Sequence, residues 1–564
     1  MKKMKLLFLT MFILFAASIS IFAHSDKEIS VSVNGKPIEF DSPPVIVESR
    51  MLVPFRAIIE ELNGEVQWIG ETKTVIAKRE NITVELQINN RISKTNGIEH
   101  VIDVPPMIFN DRTMVPIRYL SESFGANVHW SDGYKIAKVN LFPEEELNKI
   151  VFFEDPIVET YIREKINKKQ GDIYFKDVMN ITYFKFYRSH SGDIKSLNGI
   201  ENLINLVELF LTYEKITDLK PIGKLKSLRK LHLENCGIEN IEGIEGAQNI
   251  DYLCFYWNNI SDITPVSSLK KLEWINIDHN NITSLEPLNN LNYLMNITAA
   301  ENNITSLKGL KNFERLYKLN VEDNNLVNLG DIAQVNSLQK LILDENINLT
   351  DLTPLIGMNN LQCLTLTENT NIKDLSPLVE LQSLKELYLN RTGIKDISVL
   401  KYSSSLEYLN LVSNKIQTLE NLEGMTNIKE IDLSSNLLTD LSFLTNLTGL
   451  KRLKLFANDI YDISPLSKMT WLEQILIGSN IISDISSLGQ IKGLKKLDIS
   501  FNRVTDISAL KELVNLEYLN IMGNHISDIS VLRELKNLKE INIENNPIID
   551  YSPAEGIERE KGYY

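Results

Sequence analysis

Few side chains in this 564-residue chain are arranged for chemistry. The seven histidines stand at 24, 100, 129, 190, 232, 279 and 525. None falls in an H-E-x-x-H, C-x-x-C or G-x-S-x-G context, the spacings of a zinc hydrolase, a redox dithiol and a nucleophile elbow. No glycine-rich loop is set to cradle a phosphate. Carboxylates are abundant, but a carboxylate pair needs a cleft that strips water away before it can act as acid and base. An open sheet offers no such cleft. Cys236, Cys254 and Cys363 are odd in number and build no disulfide framework. No acidic spacing matches a dedicated Ca²⁺ loop. These residues predict a protein without catalysis, cofactor or metal.

Side chains suited to binding are better ordered. Phe210, Tyr213, Tyr256, Trp257, Trp274 and His279 recur at related positions and predict a concave ligand-binding patch. Large rings on a rigid surface are what binding hot spots use, and Trp and Tyr also stack on sugars. Glu301, Glu322, Asp323, Asp344, Glu345 and Glu368 follow as an acidic patch. It suits a basic partner or a cation, or is simply a solvated face. Tyr252, Tyr408 and Tyr518 share one routine strand position and are set aside.

A repeat positions both patches. From Leu206 the motif L-x-x-L-x-L-x-x-N-x-[IL] recurs sixteen times. Its Asn position falls at 214, 236, 258, 280, 302, 324, 346, 369, 392, 414, 436, 458, 480, 502, 524 and 546, a period of 22 with two steps of 23. Glu214, Cys236 and Thr392 replace the Asn. Self-similarity at this period is the leucine-rich-repeat signature. The L-x-L pair reads as a strand with alternate residues facing the core. Asn carries donors and an acceptor, so it can satisfy backbone at the bend after the strand. The following I-[ST]-D-[IL]-x-x-L, often with proline as at 221, 265, 354, 377 and 465, reads as a turn or 3₁₀ segment on the convex side. Sixteen strands spaced by about 4.8 Å predict a parallel sheet with an arc of roughly 75 Å on the concave face of a curved solenoid. The residues one and two before each Asn are expected to be concave strand columns.

The first part of the chain has another period. PPVIVESRMLVPFRAIIEELNGEVQW, residues 43–68, returns as PPMIFNDRTMVPIRYLSESFGANVHW, residues 105–130, at an offset of 62. Each copy reads as β-β-α-β, its helix entered through proline and left at Gly64 or Gly125. Two copies make a small α+β domain over 29–141. The doubled R-x-x-V-P-[FI]-R … W pattern resembles the copper amine oxidase N-terminal-like domain of exported Firmicute proteins. The catalytic domain of those oxidases has no counterpart here. His100 and His129 form no His-x-His pair that could hold copper.

Between the two parts, Asp155-Pro156 starts a helix whose Ile157, Tyr161, Ile162 and Ile166 share one face. This segment resembles the helical cap of internalin-type proteins, and the repeats resemble internalin-like bacterial leucine-rich-repeat proteins. A solenoid needs such a cap, because its first repeat would otherwise expose its core. The resemblance implies a protein partner held on the concave face, in adhesion or surface recognition. A cell-wall or polysaccharide module and a passive spacer are the alternatives.

The net charge of −15, without a Lys/Arg run, excludes nucleic acid as partner. Met-Lys-Lys-Met-Lys, an apolar run from Leu6 to Phe22 and then Ala23 read as a signal peptide, or as an uncleaved anchor. No second apolar run of spanning length follows. The expected location is secreted or extracellular, free or held at the cell surface. No sortase motif or apolar tail precedes Tyr564, so no covalent attachment is expected. The expected division is 1–23 signal peptide, 29–141 duplicated domain, 142–195 cap and degenerate first repeat, 196–550 repeats and 551–564 tail.

Overall fold

The structure is a computed structural model that describes residues 29–131, 135–187, 193–311, 313–419, 422 and 424–559. The expected signal peptide, His24, His190 and the last five residues of the tail lie outside the described residues. The chain forms two compact units, Met1–Phe210 with Leu219–Arg229, and Leu211–Asp218 with Lys230–Tyr564. Among the described residues, no helix is long and apolar enough to cross a membrane.

In the first unit the duplication is visible as an exchange. Strands Arg50–Pro54 and Arg112–Pro116 each run through Val-Pro into a helix, Phe55–Glu61 or Ile117–Ser123. Proline suits this place because the first helical turn leaves its N–H groups unbonded anyway. The two strands pair antiparallel, Val53 opposite Val115, at the centre of a four-stranded sheet edged by Val45–Val47 and Met107–Phe109. Arg50 Nε meets Asp103 at 2.7 Å, and Arg112 Nε meets Asp41 at 2.6 Å. These residues are 62 apart, so each copy's arginine holds the other copy's aspartate. Both pairs are exposed and contribute at most about 1 kcal/mol, so their effect is on register.

The hairpins are exchanged too. Ser30–Val33 and Lys36–Ile38 extend the sheet of Asn127–Ser131 and Ile136–Asn140. Ile92–Thr95 and Ile98–Val101 extend that of Glu65–Ile69 and Thr74–Arg79, through an added strand Ile82–Gln87. Each β-β-α-β unit is therefore the kernel of a larger copy whose flanking strands complete the other copy's sheet. Val53, Ile58, Val115, Leu120 and Val139 are fully buried in the shared core.

Lys138 is an exception in that sheet. Every residue of Ile136–Asn140 is buried, and Lys138 Nζ donates to the Asn205 carbonyl at 2.8 Å. Asn205 Nδ2 in turn donates to Asn140 Oδ1 and the Met179 carbonyl. Burial pushes the Lys138 ammonium down to about 7. Further along, Asp155 caps helix Pro156–Lys165 by accepting from Ile157 N, as its spacing predicts. Val158 and Ile162 are the helix's buried residues, and Tyr161 packs its ring 4.4 Å from that of Phe184.

The second unit is the repeat array. Among its described residues, sixteen strands from Lys230–Glu234 to Glu558–Arg559 pair in parallel, in chain order. Most span three residues, as in Tyr252–Cys254, and 3₁₀ segments such as Thr264–Ser268 return the chain. An aspartate starts many of these segments: Asp262 Oδ1 accepts from Thr264 N, Asp396 from Ser398 N and Asp528 from Ser530 N, each at 2.8 Å. Hydrogen bonding holds the carboxyls below the ordinary aspartate range, from the Thr264 side chain and then its N–H at Asp262, and from the N–H first at Asp396 and Asp528.

The repeated Asn is mostly buried, and its amide bonds backbone of its own and the neighbouring repeats. Asn436 Nδ2 donates to the carbonyls of Leu411 (3.0 Å), Leu433 (2.9 Å) and Ser434 (3.2 Å). Its Oδ1 accepts from Asn414 N at 3.1 Å and Ile416 N at 2.9 Å. Thr392 keeps part of this set, donating to Leu389 O at 3.0 Å, and Cys236 Sγ approaches Glu234 O at 3.3 Å.

The residue before each Asn departs from the expected strand column. From Tyr213 (φ 63°) through Trp257 (57°) and Phe501 (52°) to Asn545 (54°), it is left-handed in all sixteen repeats. The chain leaves the strand there, because a left-handed residue turns the next side chain, Asn, inward. For residues other than Gly and Asn this conformation costs about 1 kcal/mol or more.

Two predictions follow from this packing. Asn436→Ala leaves several buried backbone groups unbonded and is expected to lower stability by about 3 kcal/mol in denaturant unfolding, with Asn436→Thr in between. Lys138 has a folded pKa near 7 against 10.5 in a model peptide. Between those pH values the unfolded chain holds the extra proton, so stability rises with pH across that window. Lys138→Met is expected to flatten the rise and to raise the melting temperature at pH 6 more than at pH 10.

Candidate binding face

Alternation along each short strand sends Leu253 and Phe255 inward and Tyr252, Cys254 and Tyr256 to the opposite face. The next residue, Trp257, projects from its left-handed turn beside them. These positions, carried from repeat to repeat, make the concave face.

At its N-terminal end the rings form two groups. Trp257 stacks on His279 at 4.9 Å and 11°, and Tyr256 meets both rings edge-on, at 5.9 and 5.0 Å. His279 Nδ1 lies 2.7 Å from Glu301 Oε2. Trp257 remains 43 % exposed. Burial and then Glu234 and Glu301 push the Tyr256 hydroxyl up to about 12. Tyr213 is 39 % exposed at the same left-handed position, its hydroxyl also raised, by burial and then by Glu234. Trp274 belongs elsewhere: it stacks on Tyr252 at 4.4 Å and 1°, on a different strand column. Tyr252, set aside from sequence because it looked routine, is thus half of a ring pair. The signal was its neighbour one repeat on, where the same position holds Trp. Phe210 lies in the first unit, with Lys185 Nζ 4.9 Å from its ring centre.

The acidic residues occupy the two columns next to the Asn. Asp278, absent from the sequence-based patch, joins them: burial pushes its carboxyl up to about 6, against the hydrogen bond from Ala300 N at 2.7 Å. Glu322 is raised by burial and then by Asp344, Glu345 and Glu301. Asp344 is raised by burial, and Glu345 by burial and then Glu368 and Asp323. The patch therefore carries mutually repelling charge. It ends where Arg391 Nη1 meets Glu368 at 2.7 Å. Lys318 and Lys340 are register partners in the Tyr252 column, two basic residues beside the acidic columns. Among the described residues, no three His, Cys, Asp or Glu side chains converge as a metal site.

Sequence models match both parts. The copper amine oxidase N-terminal domain matches residues 32–139. Leucine-rich repeats match 382–424, 404–446, 492–534 and 514–556. The chain carries a copper amine oxidase N-terminal domain and leucine-rich repeats. A protein named protease inhibitor from Brevibacillus choshinensis is 31 % identical over 116 residues, 19 % of this chain. The chain spans only 32 % of that relative's length. Its leucine-rich-repeat fold is shared with a leucine-rich-repeat protein of Leptospira interrogans, at TM-score 0.57 and 21 % identity over 69 % of this chain and 97 % of that one. An internalin of Listeria monocytogenes aligns at 26 % identity over 73 % of this chain and 96 % of that one, with a TM-score of 0.35.

In the leucine-rich-repeat unit, the Asp278 carboxyl titrates near 6 folded and near 3.8 in a model peptide. Between those values the folded chain binds the extra proton, so this residue makes the unit less stable as pH rises from 4 to 7. Asp278→Asn keeps an oxygen for Ala300 N. It is expected to stabilise the protein at pH 7 by on the order of 2 kcal/mol, with little gain at pH 4, in melts at the two pH values.

Proposed function

We propose that this is an exported, non-catalytic recognition protein whose concave repeat face binds an extracellular protein. The observation that carries the reading is the Tyr256–Trp257–His279 cluster. Its rings hold one another in place, while Trp257 stays 43 % exposed. A ring already fixed by stacking loses little rotamer freedom when a partner covers it. Glu301, Glu322, Asp323, Asp344, Glu345 and Glu368 extend the surface and favour a partner that brings positive charge to that side. Tyr213 belongs to the same surface, and Trp274 with Tyr252 forms a second aromatic contact. Export rests on the signal-peptide pattern over 1–23. The same division of the chain, with the duplicated domain over 29–141 and repeats over 196–550, serves this role by placing recognition in the repeats.

The test is a pull-down with the chain from Ser25 onward, wild type and Tyr256→Ala/Trp257→Ala, against extracellular protein fractions and intact bacterial walls. Wild type is expected to retain a component that protease treatment abolishes and the double variant fails to hold. Competition by free sugar would make the partner a glycan. Equal retention by both proteins would remove the aromatic patch from consideration.

A further inference from the structure

A groove of about 600 Å³ opens on the flank of the repeats, where each 3₁₀ segment leads into the next strand. A volume of this size is in the range that holds a small molecule. One column of residues, 22 apart, explains the opening. Asn427, Asn515 and Asn537 each donate a side-chain amide to the carbonyl 23 residues back, those of Ser404, Lys492 and Val514, at 2.8, 2.9 and 2.8 Å. Gly493 stands in the same column and has no amide to give. The carbonyl at that offset is Thr470 O. Thr470 lines the groove, and its carbonyl accepts no hydrogen bond from the described residues. A β-carbon at 493 would meet nothing closer than 3.8 Å, so the glycine leaves open space there. At Gly449, two repeats earlier, a β-carbon would stand 3.0 Å from Thr426 O, and the column is closed.

Trp471 is the member of the column just before Gly493. Its indole N–H donates to Leu447 O at 3.1 Å, doing with a larger side chain what Asn does elsewhere. That bond fixes the part-exposed indole at one end of the groove, where it is the one large apolar side chain among the described lining residues. Along the wall runs a ladder of alternating charge. Lys451 and Lys495 hold Glu473 between them at 3.4 and 2.9 Å, and Lys539 holds Glu517 at 2.5 Å. A ligand of one charge would meet like charge beside every unlike one. A neutral polyol escapes this conflict. Each ammonium keeps donors and each carboxylate keeps lone pairs for hydroxyls, which both accept and donate. An apolar peptide would find only Trp471 to bury against. A sugar ring has an apolar face edged by hydroxyls, which matches one indole in a polar groove. From Trp471 to Asn537 the column spans three repeat steps, roughly 14 Å at the usual strand spacing, enough for a short chain of sugars.

We propose that this groove binds a neutral oligosaccharide, one sugar ring on Trp471, a hydroxyl over Gly493 donating to Thr470 O, and the following rings along Glu473, Lys495 and Asn515. The hydroxyl over Gly493 makes the bond that the Asn amide makes elsewhere in the column. The site lies off the concave face and stands independently of the protein-binding reading. The Lys–Glu pairs and the bonded indole are already in place, so little side-chain freedom is lost when a ligand settles on them.

The probe is an array of defined neutral and acidic oligosaccharides, read with the chain from Ser25 onward, and the tightest binder is then titrated by calorimetry. The expected binder is neutral. Its affinity is expected to fall at least about tenfold in Gly493→Asn and in Trp471→Asn, and to stay within about twofold in Tyr256→Ala/Trp257→Ala. Asn is native to this column at 427, 515 and 537, so both variants are expected to fold. Gly493→Asn, which caps Thr470 O, is expected to melt no lower than wild type, so lost binding is not lost folding. No saturable binding of any neutral oligosaccharide, binding of acidic chains alone, or an affinity that Gly493→Asn leaves unchanged overturns the proposal. Binding lost only in the Tyr256→Ala/Trp257→Ala variant places the sugar on the concave face and overturns it too.

Discussion

An asparagine amide buried between neighbouring repeats bonds up to five backbone groups, as Asn436 does with three carbonyls and two N–H groups. Strands of three residues leave most of each repeat as turn, and turn backbone buried in a dry core must find partners. The amide supplies them in each repeat that keeps its Asn. It reaches inward only because the preceding residue is left-handed, so each repeat couples a favourable set of hydrogen bonds to an unfavourable backbone angle. A single hydrogen bond contributes about 1 kcal/mol net, and leaving its groups unbonded costs more, so the set outweighs the strain. Leucines fill the space, but the amide fixes where each turn lies and how far its neighbour stands.

That coupling explains what could be read in advance. Leu, Ile and Asn recur because the same steric and polar demands recur, so the period, the strands and the convex 3₁₀ segments were legible. The left-handed column was not. Trp257, Glu301, Arg391 and Phe501 have no preference for that conformation, and the following Asn, which enforces it, reads equally well as a simple cap. Ring partners were legible only where they fall in one column. Trp257 and His279 share one column and Tyr252 and Trp274 share another, but the second pair was passed over because Tyr is common at that position. Acidic side chains announced a patch, yet Asp278, the most strongly raised of them, was missed because burial rather than spacing sets its behaviour.

The two faces of the repeats respond to protons in opposite senses. On the convex side, aspartates such as Asp396 and Asp528 are held low by the N–H groups they cap, and acid removes that stabilisation. On the concave side, burial holds Asp278, Glu322, Asp344 and Glu345 high, neighbouring carboxylates add to it at Glu322 and Glu345, and acid relieves them. A face kept under mutual repulsion at neutral pH has favourable electrostatic energy in reserve for a cationic partner, at the expense of the free protein's stability.

The exchanged architecture of the copper amine oxidase N-terminal domain has its own implication. Arg50 reaches Asp103 and Arg112 reaches Asp41, the Val53 and Val115 strands meet at the dyad, and each copy's hairpin closes the other's sheet. Neither half can bury its own sheet edges alone. A shorter chain holding one copy would satisfy nearly all of these pairings by meeting its twin across a two-fold axis. The tandem arrangement makes that meeting intramolecular, so assembly of the domain is independent of protein concentration.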